Sequence, residues 1–134
     1  MILEFINLLG RVSLLPFPTV CLVRGGAVAG GCMLAFAHDY IYVGGKGKFS
    51  TKEAELQMFF PPGMLAIVKK KHMDPQVARD MILYSKEYQA EEALQLHLID
   101  GIWKEEEALE KTHEKASDLS DFGQNKDNMR RIKS

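Results

Sequence analysis

The sequence is poor in the features that mark several large classes of protein. Two cysteines among 134 residues, Cys21 and Cys32, are too few for a disulfide framework or a zinc site and too far apart for a CxxC pair. They read as small buried residues of a reducing compartment. No charge dominates: 17 Lys and Arg against 18 Asp and Glu leave a formal charge of −1 and a pI near 6.4, which argues against any broad electrostatic grip on nucleic acid. The run of three lysines at 69–71 reads as a solvated face. No apolar run reaches the roughly 18 residues a membrane span needs. The N-terminal MILEFINLLGRVSLLPFP lacks the basic n-region and small-residue cleavage site of a signal peptide. His38, His72 and His97 lack metal-ligand spacing, so no metal is expected. No internal repeat or low-complexity tract is visible.

What is present suits one globular domain, with 46% hydrophobic and 26% charged residues. Ile2, Phe5, Ile6, Leu9 and Val12 follow helical spacing, with Glu4, Asn7 and Arg11 on the other side. That pattern predicts an amphipathic core helix. It is an odd opening, because a helix so apolar needs something already built to pack on. Pro16 and Pro18 end it, and TVCLVRG reads as a buried strand. Gly25 to Gly31 are expected to form a loop into a helix through about His38. YIYVGG then reads as a second strand, GGKGK as a turn, and Phe49 to Thr51 as a short strand. FFPPG marks a sharp turn before a helix through the lysines. DPQVARDMILYS opens a helix with Asp74 as N-cap and a proline at its first position. QAEEALQLHLID reads as helix into strand, residues 104 to 119 as an exposed helix, and SDFGQNKDNMRRIKS as a polar, peripheral or loosely ordered tail. The whole is α/β.

The stretch VRGGAVAGGCMLAFAHDY places four glycines, Gly25, Gly26, Gly30 and Gly31, between strand and helix. It does not meet the GxGxxG dinucleotide fingerprint, no acidic residue follows at the usual offset, and no Gly-Lys-Ser/Thr makes a Walker loop. Two readings remain. The glycines make a tight strand-to-helix turn, or they form an oxyanion hole in which a free backbone N–H at a helix start faces a developing negative charge.

These residues carry a resemblance. PFPTVCLVRGGAVAGGCMLAFAHDYIYV is similar to the strand, oxyanion loop and helix of the crotonase superfamily, the enoyl-CoA hydratase/isomerase family. GKFSTKEAELQMFFPPGM resembles its catalytic segment and proline-glycine turn, and YQAEEALQLHLIDGIW its A-E-E-A…G-L-V-D element. Order and spacing agree over residues 1–103. Within the family, the AHDY and S-E patterns look most like the peroxisomal, plant-like Δ3,Δ2-enoyl-CoA isomerases. The resemblance implies the C-terminal part of a crotonase-like (ClpP/crotonase) spiral of ββα units, with 1–103 as a truncated core and 104–134 as a C-terminal helix and polar tail.

By the same resemblance the oxyanion N–H belongs to Gly30, with Gly31 beside it, and the catalytic carboxylate is Glu53. Ala27, Ala29, Met33, Pro62 and Gly63 are expected to line the substrate pocket. The substrate would be an acyl-CoA thioester, with no cofactor besides. Met33 stands where hydratases carry a second glutamate. Adding water asks for two positioned carboxyl groups, whereas moving a double bond from C3 to C2 asks for one base, so isomerisation is expected over hydration. Glu55 is the nearest competitor to Glu53, if the two share a strand face. Asp39 is expected to hydrogen-bond locally, and His97 stands where the family usually has glycine. The family's A-x-G-x-D segment, which gives the other oxyanion N–H and much of the CoA pocket, has no match in these residues. Hence three expectations: a fragment, a split protein with a complementary N-terminal half, or a structural remnant in a larger complex, possibly mitochondrial. Alone, the chain is expected to turn over weakly or not at all. An enoyl-CoA hydratase or an acyl-CoA-binding module is a further alternative. The resemblance also implies a homotrimer or hexamer, and a mitochondrial or peroxisomal setting, although the chain ends RRIKS and not in a serine-lysine-leucine signal.

Overall fold

The computed structural model of the chain describes residues 1–134. Helix α1 (Ile2–Ser13) leads through a proline-broken link into strand β1 (Val20–Val28). Helix α2 (Gly30–Phe36) crosses to strand β2 (Tyr40–Ser50), and helices α3 (Pro62–Lys70) and α4 (Pro75–Tyr84) follow. The short strand β3 (Tyr88–Gln89), helix α5 (Ala90–Gln95), strand β4 (Gly101–Trp103), and helices α6 (Ala108–Asp118) and α7 (Lys126–Lys133) complete it. The sheet is mainly parallel. β2 pairs with β1 along one side, and on the other with β4 in parallel and with β3 antiparallel.

Helix α1 forms as its spacing predicts. Leu9 is fully buried, and Phe5 and Val12 pack on the core. Ile2, expected on the buried stripe, is exposed. The core itself joins α2, β1, β2 and α3 to α5, with the rings of Phe36 and Phe49 stacked at 6.1 Å. Asp74 caps α4, its Oδ1 accepting from the N–H of Gln76 at 2.8 Å, ahead of Pro75 in the first turn.

Two glycine clusters behave differently from their expectation. Gly25 to Val28 are strand and not loop, so β1 runs to within one residue of Ala29. GGKGK is likewise not a turn between two strands but the middle of one long strand. From the pair Val23/Val43 to the pair Gly25/Gly47, β1 advances two residues while β2 advances four. The extra residues bulge at Gly44, Gly45 and Lys46. Such a bulge bends the strand and favours glycine. Gly45 has φ 76°, and a Cβ on Gly47 would lie 2.8 Å from the Val43 side chain and 3.0 Å from the carbonyl of Gly25. Turn chemistry was the obvious reading of five such residues, but the bulge uses the same chemistry without reversing the chain.

The tail is ordered too. Residues 120–123 form a 3-10 turn, and α7 folds back so that the Lys133 ammonium reaches Asp39 at 2.6 Å and the carbonyl of Phe17 at 2.7 Å. Asp39 also accepts from the N–H and hydroxyl of Thr19, at 2.8 and 3.0 Å. One carboxylate thus clamps the start of β1, the turn before β2 and the C-terminus. Nor are the lysines at 69–71 merely solvated. Lys70 donates to the carbonyl of Ser13 at 2.6 Å, closing the end of α1, and the Lys71 ammonium lies 5.7 Å over the Phe36 ring. Burial pushes the Lys71 amine below its ordinary range. No helix is long and apolar enough to cross a membrane.

Candidate functional site

The candidate site lies where parallel strands characteristically present ligands, beyond their carboxyl ends. Val28 and Ser50 are register partners at the ends of β1 and β2, and the N–H of Ala29 donates to the Ser50 carbonyl at 2.8 Å. Gly30 therefore starts α2 two residues past the end of β1, and Glu53 follows three residues past the end of β2.

Ala29 makes the corner. Its φ of 52° and ψ of −121° are glycine-like values that cost an alanine about 1–3 kcal/mol. The sharp corner is held by the Ala29–Ser50 bond and by the Met33 N–H donating to the Ala29 carbonyl at 3.2 Å. Beyond it the first N–H groups of α2, those of Gly30, Gly31 and Cys32, have no side-chain cap. The first N–H groups of any helix lack an intrahelical acceptor. A Cβ on Gly30 would meet the Phe5 ring at 3.2 Å, whereas one on Gly31 would meet nothing within 4 Å. Gly30 is thus wedged beneath α1, and Gly31 faces open space.

Glu53 sits in a turn and not on a strand, which removes the argument that Glu53 and Glu55 share a face. The two differ sharply in surroundings. Glu53 is 8% exposed, and its Oε2 accepts from the N–H of Lys52 at 2.9 Å. The Glu55 side chain is 59% exposed and pairs with the Lys52 ammonium at 2.7 Å. The Glu53 charge also reaches Cys32 in the first turn of α2, where it adds to burial in raising the thiol pKa to about 12.

The turn is held by residues the sequence did not single out. The Ser50 hydroxyl, fully buried, contacts the carbonyls of Thr51 at 2.7 Å and Ser85 at 2.9 Å. The Thr51 hydroxyl donates to the Met81 carbonyl in the last turn of α4, and the Glu55 N–H donates to the Ser85 hydroxyl at 3.1 Å. Ser85 ends α4 in a left-handed conformation, φ 51°. These contacts fasten the 50–55 segment to α4 and so fix Glu53. Polar residues after a strand were the only signal for Ser50 and Thr51, and Ser85 gave none.

Of the residues expected to line a pocket, Ala27 and Met33 are buried in the core, and Ala29 is half-buried at the corner. Pro62 is exposed at the first turn of α3. Gly63 abuts α1: a Cβ there would lie 2.2 Å from the Ile6 Cγ2. Asp39, expected to hydrogen-bond locally, instead joins Thr19 and Lys133, 20 and 94 residues away in sequence. No three His, Cys, Asp or Glu side chains gather as metal ligands.

The sequence model of the enoyl-CoA hydratase/isomerase family matches residues 2–133. The chain belongs to the enoyl-CoA hydratase/isomerase family. Among curated proteins, this family member is similar to the peroxisomal enoyl-CoA delta isomerase 1 of Arabidopsis thaliana, 28% identical over 98 residues, covering 72% of the chain and 41% of the relative. It is 31% identical to the peroxisomal enoyl-CoA delta isomerase 2 of the same plant over 88 residues, 65% of the chain and 37% of the relative. Its fold superposes on the enoyl-CoA hydratase of Mycobacterium marinum with a TM-score of 0.84 at 23% identity, over 96% of this chain and 56% of that one. The chain therefore spans about two fifths of the curated relatives' length, and the solved structure attests the crotonase-like fold alone.

His97, exposed, closes α5 with φ 58°. It is a left-handed conformation, which glycine adopts without the penalty a side chain incurs.

Proposed function

We propose that this chain carries the proton-transfer part of an enoyl-CoA isomerase site, acting on a 3-enoyl-CoA thioester. The observation that carries the reading is the single enclosed carboxylate: Glu53, three residues past the end of β2, is buried, and Met33 of α2 is packed in the core. Glu53 would take a proton from C2. The C–H electron pair moves into the thioester, and the oxygen of the resulting dienolate accepts a hydrogen bond from the Gly30 N–H. The protonated Glu53 then returns the proton at C4, while the electron pair closes the C2–C3 double bond. No water or second acid takes part, and no cofactor is required besides the substrate's own CoA. General base catalysis of this kind contributes about 10²–10⁴-fold, and an oxyanion donor about 10²–10³-fold.

In this reading the second oxyanion donor and much of the CoA pocket come from outside these residues, so the 134-residue chain alone is slow. The peroxisomal names of the two plant relatives favour a peroxisomal setting over a mitochondrial one. A trimer or hexamer follows only from the family resemblance.

The test is conversion of a short 3-enoyl-CoA to the conjugated 2-enoyl-CoA, followed by thioester absorbance, with wild-type chain and Glu53→Gln. Isomerisation that falls at least ~100-fold in the variant, with CoA binding kept, supports the proposal. A 3-hydroxyacyl product would mean hydration. CoA-dependent thermal stabilisation with no turnover would mean a binding module, and no ligand response at all a structural subunit.

A further inference from the structure

Helices α3 and α4 are joined by a short link, residues 71–74, and leave a groove of about 510 Å³ between them. That size lies within the range of ligand-binding clefts, about 300–1,000 Å³. Its floor is apolar. Val68 is buried, and Leu65, Met73, Ala78 and Ile82 are half-buried. None of these side chains carries a hydrogen-bond donor, and none takes part in the bonds that hold Glu53.

The polar groups of the groove are Lys69 and His72, both exposed where the two helices meet. Of the three lysines at 69–71, Lys70 is engaged by the carbonyl of Ser13 and Lys71 lies over the Phe36 ring, whereas Lys69 has no partner. The nearby acids are occupied: Asp74 accepts from the N–H of Gln76 at 2.8 Å, and Asp80 pairs with Arg79 at 2.8 Å. His72 follows the end of α3 in a left-handed conformation, φ 51°, a place where glycine is common. That conformation costs a side chain more than it costs glycine, and the exposed imidazole is not held there by burial. On the other wall Pro75 opens α4, whose first turn presents the positive end of its dipole.

We propose that this groove binds the free carboxylate of a medium-chain fatty acid, with its head between Lys69 and His72 and its tail along Val68, Ala78 and Ile82. The floor offers nothing to a polar tail, and the rim offers an ammonium and an imidazole that lack counter-charges. Two donors match the two oxygens of a carboxylate, whereas a phosphate brings three strong acceptor oxygens. An alcohol or ester would leave the lysine unpaired. From Pro75 to Ile82 the helix rises about 10 Å, which suits a chain of medium length. The inference stands on this groove alone and not on the proton-transfer reading, so Glu53→Gln leaves it unchanged.

The test is titration of the 134-residue chain with carbon-13-labelled octanoate below its micelle-forming concentration, followed by NMR. Octanol and acetate serve as the apolar and the charged halves of the probe. The expected result is saturable binding of octanoate at least ~10-fold tighter than that of either half, since hydrogen bonds to charged groups are the stronger ones. Its chain should show nuclear Overhauser contacts to the methyl groups of Leu65 and Ile82. Lys69→Gln should weaken octanoate at least ~10-fold and leave octanol unchanged, and Lys69→Arg should keep octanoate bound. Ala78→Phe, which fills the groove, should abolish binding of both; should that variant not fold, the methyl contacts in the wild-type chain decide the location. Octanol binding as tightly as octanoate, contacts confined to another part of the chain, or no saturable binding of octanoate would each overturn the proposal.

Discussion

Gly63 separates packing from pocket. Gly63→Ala places a methyl 2.2 Å from the Cγ2 of Ile6, well inside contact distance. The atom it meets belongs to a β-branched side chain held at χ1 by its own helix, so it cannot swing aside as the end of a lysine would. α1 and α3 must separate, and overpacking of this kind costs about 1–3 kcal/mol. Alanine in a helix gains about 0.5–1 kcal/mol over glycine, which leaves a net destabilisation of about 0–2.5 kcal/mol. Ile6→Ala removes the obstructing methyl, so the double variant should recover most of the overpacking cost. A double-mutant cycle should then show a favourable coupling of at least ~1 kcal/mol. The assay is urea unfolding followed by the fluorescence of Trp103, whose ring stacks on Tyr42 at 4.0 Å. Gly63→Ala that stabilises the protein by its helix propensity alone, or a cycle with no coupling, would refute the packing argument and return Gly63 to a role in the pocket.

Three other outcomes follow from single positions. His97→Gly should stabilise by about 0.5–1 kcal/mol, because the left-handed φ of 58° strains histidine and not glycine; a loss in thermal denaturation would contradict this. Asp39→Asn should cost about 1–3 kcal/mol, because the Lys133 side chain is only 8% exposed and loses its counter-charge; limited trypsin digestion should then cut within α7 first. The Cys32 thiol, pushed up to about 12 by burial, makes stability fall as pH rises. Above the ordinary thiol pKa of about 8.5 the unfolded chain loses this proton while the folded chain keeps it, so stability declines from there toward the folded value. Cys32→Ala should flatten that decline in urea titrations, and an unchanged slope would assign it to other groups.

Much of this architecture was legible because its signals are local. The spacing of Phe5, Leu9 and Val12, the Asp74-Pro75 start of α4 and the β-branched run before Gly25 each report on a single element, and each appears where expected. What failed needed knowledge of a neighbour. Gly44, Gly45 and Gly47 look the same in a hairpin turn as in a bulge, and only pairing with β1 decides between them. The polar tail gave no sign that Lys133 would return to Asp39, a contact 94 residues apart in sequence. At the site, motif resemblance drew attention to Glu53 and Gly30. The segment that carries both Glu53 and Glu55 is held by Ser50, Thr51 and Ser85, whose hydroxyls bind across to or from the end of α4.

The most direct test of the account is exchange of the C2 protons of an acyl-CoA in deuterated water, followed by proton NMR. It reads proton removal at C2 alone and does not require return of the proton at C4. The account predicts exchange catalysed by the wild-type chain above the buffer rate, lost in Glu53→Gln and kept in Glu55→Gln. Exchange that survives Glu53→Gln, or that disappears equally with Glu55→Gln, would contradict the assignment of Glu53 as the base.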